Sequence, residues 1–169
     1  MTAAQMLAAE IQAEAAATRR VLERVPADRL TWRPHAKSMT LGQLAQHVAA
    51  IPGALTKMSS LDSFDANNAS FTPPQPEDAA TLVPMLEASI AEACAYLNGL
   101  SDATAAETWR LTLGDREVMQ MPRLGVVRSL AMNHWYHHRG QLAVYLRLLD
   151  VPVPVIYGRS ADENPFGGA

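Results

Sequence analysis

The run His134-Trp135-Tyr136-His137-His138-Arg139-Gly140-Gln141-Leu142-Ala143-Val144-Tyr145-Leu146-Arg147-Leu148 lies in the longest helical pattern of the chain, expected from about Pro122 to Leu149. At about 100° per residue, with His134 as the zero direction, His138 lies at about +40°, Gln141 at about −20° and Tyr145 at about +20°. Val127, Leu130 and Leu148 fall within about 40° of the same direction. The pattern therefore aims His134 and His138 into the middle of an apolar stripe facing a core. Ser129, Met132, Arg139, Ala143 and Arg147 are expected on the outward side.

Three further segments carry the same periodicity. The first, about Ala3 to Val25, repeats Leu7, Ile11, Ala15, Thr18 and Leu22 and stops at Pro26. The second starts at Thr40, where Thr40-Leu41-Gly42-Gln43 reads as a capping box, and carries Leu44, His47, Ile51, Leu55 and Met58 on one face. Pro52 is expected to remove a backbone hydrogen bond and kink it. The third starts near Pro76, with Glu77 and Asp78 at its positive end, and buries Leu82, Leu86, Ile90, Ala93, Leu97 and Leu100. Pro84 is expected to bend it. A long polar loop, Ser59 to Gln75, separates the second and third helices.

Trp109 to Met121 alternates around the turn signal Gly114-Asp115, as either a short hairpin or an extended strap. Asp150 to Tyr157, with Pro152 and Pro154, should be extended. Ser160-Ala161-Asp162-Glu163 should cap a short turn, and the glycine-rich end should fray. Four amphipathic helices without a convincing sheet define an all-α four-helix bundle, with residues 1–169 as one domain.

Composition narrows the function. At 169 residues, 49% hydrophobic and 18% charged, the chain is long and apolar enough for one packed core. A net charge of −3 gives no electrostatic footprint for nucleic acid. The single Cys94 has no internal disulfide partner, which points to a reducing, cytoplasmic setting. No apolar run reaches the roughly 18 residues of a membrane span, and Glu10, Glu14, Arg19 and Arg20 do not suit a signal peptide. No P-loop, dinucleotide fingerprint or Cys-x-x-Cys pair is present. Cys94, among alanines, reads as a small core residue.

The histidines carry the chemistry. His47 lies within about 60° of Leu44, Ile51 and Ala54, so it also points inward. Three inward imidazoles on two helices form a three-nitrogen set, which in catalytic zinc sites leaves a fourth position for water or substrate. The same three rings also suit a neutral polar network with Gln43, Gln141 and Tyr145. His137, at about −60°, could replace His138 or orient a ligand, and His35 reads as an exposed or packing residue.

His134-Trp-Tyr-His137-His138-Arg139-Gly140-Gln141-Leu142, followed by Tyr145-Leu146-Arg147, resembles the signature helix of the DinB/YfiT-like metalloenzyme family. Trp32-Arg33-Pro34, Leu41-Gly42-Gln43-Leu44-Ala45-Gln46-His47 and the segment from Val151 to Glu163 are similar to that family's second helix and tail. The resemblance implies an up-down-down-up bundle, often a homodimer, and a divalent metal on His47, His134 and His138. Zinc fits three imidazoles best, and nickel and iron also bind nitrogen donors. The resemblance further implies thiol-dependent S-transfer or maleylpyruvate isomerisation on a small-molecule substrate, with a low-molecular-weight thiol as cosubstrate. A non-catalytic metal-binding, stress-response or interaction module is the alternative. A homodimer is also expected from Trp135 and Val144, which flank the stripe on the last helix and widen its apolar arc.

Overall fold

The computed structural model describes residues 1–70 and 72–167. Helix α1 (Ala3–Leu22) opens on a reciprocal cap between Thr2 and Gln5. Helix α2 (Leu41–Ser59) opens on the expected Thr40–Gln43 capping box. Helix α3 (Leu82–Gly99) begins later than expected, because Asp78 caps a 3-10 turn at Ala79–Thr81 first. Pro84 consequently falls in the first turn, where a missing N–H costs no helical bond. Helix α3 packs on both α1 and α2. By length and composition, Ala79–Gly99 is also long and apolar enough to cross a membrane, although Glu87 and Glu92 interrupt its apolar run. Here Leu82, Leu86, Ile90, Ala93 and Leu97 of this segment are buried in the bundle core.

The all-α expectation needs correction. Strands β1 (Ser63–Asp65), β2 (Thr108–Leu113) and β3 (Arg116–Pro122) form one sheet in the order β1-β2-β3. Strands β2 and β3 are the hairpin alternative, turning at Gly114, whose φ of +59° suits glycine. Strand β1 pairs parallel with β2 across more than forty residues of sequence. Its three residues are too few to show an alternation, so the pairing could not be read locally. A short helix, α4 (Asp102–Ala106), leads into β2. The buried Trp109 of β2 donates its indole N–H to the Met58 carbonyl at 3.2 Å. Buried Arg123 donates to the Ser59 and Leu61 carbonyls and pairs with Asp62 and Glu107, tying the sheet to the end of α2.

The last helical rod has three parts: α5 (Arg123–Gly125), a π-helical stretch (Val126–Met132) and α6 (Asn133–Leu148). The wider π turn, bonded i→i+5, breaks the 100° phase that the sequence reading carried through this region. Met132, expected outward, is buried. Within α6 the buried line is Trp135, Arg139, Leu142 and Leu146, a spacing of four, three and four. Arg139, also expected outward, is 1% exposed. His134 and His138 lie on the flank of that line rather than at its centre, and both keep part of their surface open. Trp135 is covered within the chain itself, so it no longer argues for a subunit interface; Val144 is 57% exposed.

The extended segment after α6 lies along α1, where Arg20 donates to the Val155 carbonyl at 2.7 Å and Arg24 pairs with Glu163 at 2.9 Å. Ser160 accepts from the Asp162 and Glu163 amides, as the expected capped turn requires. The expectation that the glycine-rich end frays falls partly on residues 168 and 169, outside the described residues.

Candidate metal centre

Pro52 has no N–H, so the Val48 carbonyl four residues earlier has no helical donor at that position. The Trp135 Nε1–H takes that role at 2.9 Å. One residue further on, the Gly53 N–H donates to Ser89 Oγ at 2.8 Å, and the Ser89 hydroxyl donates to the Ala50 carbonyl at 3.1 Å. The helix runs on through Pro52 as one element, with neighbouring side chains satisfying the groups that proline disturbs. Val48 follows His47 and Trp135 follows His134, so the indole bond joins α2 and α6 beside these two rings.

The rings meet there. His47 Nε2 lies 2.9 Å from His134 Nε2. The centroid of His138 is 4.7 Å from that of His47 and 4.4 Å from that of His134, with all ring pairs edge-on. One nitrogen from each ring falls within a set spanning 4.8 Å. Donors around a tetrahedral zinc, at about 2.0–2.1 Å each, lie about 3.3 Å apart, which falls between the 2.9 Å His47–His134 separation and the 4.8 Å span of this set. His138 Nδ1 sits 2.8 Å from Gln141 Oε1.

Electrostatics keep the rings neutral. Burial, then the neighbouring His138 and His134, push the His47 pKa down to about 4. Burial also lowers His134, helped by His138 and His137. Burial lowers His138 against an opposing hydrogen bond from Gln141, with His137 adding to the lowering. Neutral imidazole is the form that ligates metal.

The other singled-out residues lie outside this group. His137 is exposed, and although its ring stacks edge-on at 4.8 Å from His138, it is not part of the donor set. His35 accepts from the Lys37 N–H at 3.1 Å in the loop before α2. Burial pushes the Cys94 thiol up, away from thiolate, and its sulfur faces Ala8 and Gln12 of α1. Among the described residues no fourth His, Cys, Asp or Glu joins the three histidines.

Sequence reasoning missed the clamp made by Trp135, Val48 and Pro52, and it missed the burial of Arg139. The line Trp135-xxx-Arg139-xx-Leu142-xxx-Leu146 carried the second signal, since an arginine at a core spacing between apolar residues implies a buried partner.

A bundle that gathers three neutral histidines from two helices defines a class of helical three-histidine proteins. The chain belongs to the DinB family, whose model matches residues 1–165. It is 30% identical over 151 residues to the uncharacterised Bacillus subtilis (strain 168) protein YrdA, covering 89% of this chain and 85% of that one. Its fold is similar to the crystal structure of a DinB-like protein, YjoA, from Bacillus subtilis, at TM-score 0.67 and 16% identity, covering 89% of this chain and 96% of the other. A DinB-like protein from Bacillus cereus is similar at TM-score 0.64 and 22% identity, covering 85% and 91%.

Proposed function

We propose that this chain binds a divalent metal through His47, His134 and His138 and uses it in a reaction on a small molecule. The carrying observation is the donor set: one nitrogen from each of three rings within 4.8 Å, all with lowered proton affinity. Three nitrogen donors suit zinc first, with nickel and iron as other borderline choices. A metal held there supplies a positive centre that favours the anionic form of a thiol or water at its open position.

The protein's own groups do the holding. Helices α2 and α6 present the rings, and the Trp135–Val48 bond fixes the distance between the helices. The triad offers no free base once its nitrogens are engaged, and Cys94 is protonated and turned toward α1. A nucleophile from outside the chain, such as a low-molecular-weight thiol, therefore fits better than an internal one. S-transfer or isomerisation of an electrophile is the reaction class this supports.

Elemental analysis of untagged protein tests the metal reading. One metal per chain is expected in the wild type and in His35→Ala, with most of it lost from His47→Ala, His134→Ala and His138→Ala. Equal content in all five proteins overturns it. For the thiol, the cobalt-substituted protein should change its visible spectrum on titration with glutathione, mycothiol or bacillithiol, and Cys94→Ser should behave alike. No spectral change with any of the three removes the transferase reading and leaves a non-catalytic metal-binding module.

A further inference from the structure

Gln141 lies one turn after His138 on the same face of α6, and its Oε1 is 2.8 Å from His138 Nδ1. An amide oxygen only accepts hydrogen bonds, and a neutral imidazole has one N–H and one lone pair. We propose that Gln141 is a positioning residue that fixes the tautomer of His138, with the proton on Nδ1 and the lone pair on Nε2. The opposite tautomer would place a proton on Nε2, the nitrogen left for the other rings once Gln141 holds Nδ1. His47 and His134 already meet through their Nε2 atoms at 2.9 Å, so one of them must already donate to the other. With His138 set this way its Nε2 lone pair faces the other two rings, and a cation has only the one proton shared between His47 and His134 to displace. The consequence for metal affinity rests on the metal reading above, whereas the tautomer does not.

The neutral histidine side chain in water favours the Nε2–H form, so Gln141 is assigned the work of reversing an ordinary preference. Residues that hold the far nitrogen of a metal-bound histidine orient the ring and raise its basicity. Losing such a partner lowers metal affinity by about ten- to a hundredfold.

Long-range proton–nitrogen NMR of nitrogen-labelled, metal-free protein, taken above the ordinary histidine range, reads the tautomer directly. The wild type should show His138 protonated at Nδ1. Gln141→Leu should move His138 toward the Nε2–H form, and Gln141→Glu, which keeps an acceptor, should retain Nδ1–H. In zinc competition with a chromophoric chelator, Gln141→Leu should bind about ten- to a hundredfold more weakly, while Gln141→Glu should stay near wild type. Circular dichroism checks that each variant folds, and if Gln141→Leu does not, the wild-type spectrum and Gln141→Glu still decide. A wild-type His138 in the Nε2–H form overturns the proposal, as does an unchanged tautomer in folded Gln141→Leu. An Nδ1–H ring in a wild type that takes up none of zinc, nickel or iron supports the tautomer assignment and overturns the metal reading instead.

Discussion

The indole N–H of Trp135 donates to the Val48 carbonyl at 2.9 Å, and each of these residues directly follows a histidine of the triad. Pro52 is what releases that carbonyl, because it carries no N–H to close the helical bond four residues later. A proline inside a buried helix thus works as a docking point for the neighbouring helix. Both groups are buried, so leaving either unpaired would cost about 1–3 kcal/mol.

Replacing the proline tests this link. Pro52→Ala restores an N–H that competes with Trp135 for the Val48 carbonyl, and it also removes a residue about 3 kcal/mol unfavourable in helix interiors. The variant should fold, and its Trp135 indole N–H should exchange with solvent faster than in the wild type. Hydrogen-exchange NMR checks this. Unchanged protection of the indole would mean that the proline has no part in docking α6.

Arg139 supports a second prediction. Its guanidinium is 1% exposed, pairs with Glu14 at 2.7 Å and donates to Thr18 Oγ1 at 3.0 Å. It also donates to the Tyr157 hydroxyl and lies over the rings of Tyr136 and Tyr157 at 5.2 and 4.9 Å. One buried cation thus joins α6, α1 and the C-terminal segment. Arg139→Met leaves the Glu14 carboxylate with only the Tyr157 hydroxyl, at 2.9 Å, and partial solvent contact, and should lose about 3 kcal/mol in urea denaturation. Arg139→Lys should also destabilise, because one ammonium cannot reproduce the fork. Adding Glu14→Gln to Arg139→Met should recover part of the loss, and strictly additive losses would count against the pair.

Much of this was legible in the sequence, and the failures have physical causes. The Thr40–Gln43 box, the α1 stripe and the convergence of His47 with His134 and His138 follow from local spacing alone. Phase reasoning failed upstream of Asn133, where a π-helical stretch replaces the α-helical rotation. It also misplaced Arg139, because the stripe was centred on His134 and His138, whereas the buried line of α6 runs about 100° away through Trp135, Arg139, Leu142 and Leu146, where Glu14 and three aromatic rings receive the charge. Strand β1 was invisible because its partner lies on a hairpin far along the chain. Gln141 was found on the right face, but the atom it would hold depends on a side-chain contact that spacing does not encode.

The triad also fixes a pH dependence. His47 is held down to about 4 from an ordinary 6.5, by burial first and then by His138 and His134. In the window between those values the unfolded chain binds more protons at this residue than the folded one, so stability there rises with pH. The contribution is complete above the ordinary value and is lost as the pH falls through the window toward 4. Burial lowers His134 and His138 as well, so they act in the same direction. Zinc needs unprotonated nitrogens in the folded chain, where His47 stays neutral down to about 4, so its stabilisation should hold through that window and fade only below it. At neutral pH, zinc at about a hundredfold above its Kd should raise wild-type stability by about 2.7 kcal/mol. Thermal denaturation with zinc and with chelator, repeated at falling pH, should show that increment holding to about pH 4 and shrinking below it. His35→Ala should keep the increment, and His134→Ala should lack it at every pH. A zinc increment that persists undiminished well below pH 4, or that survives in His134→Ala, would place the metal elsewhere on the chain.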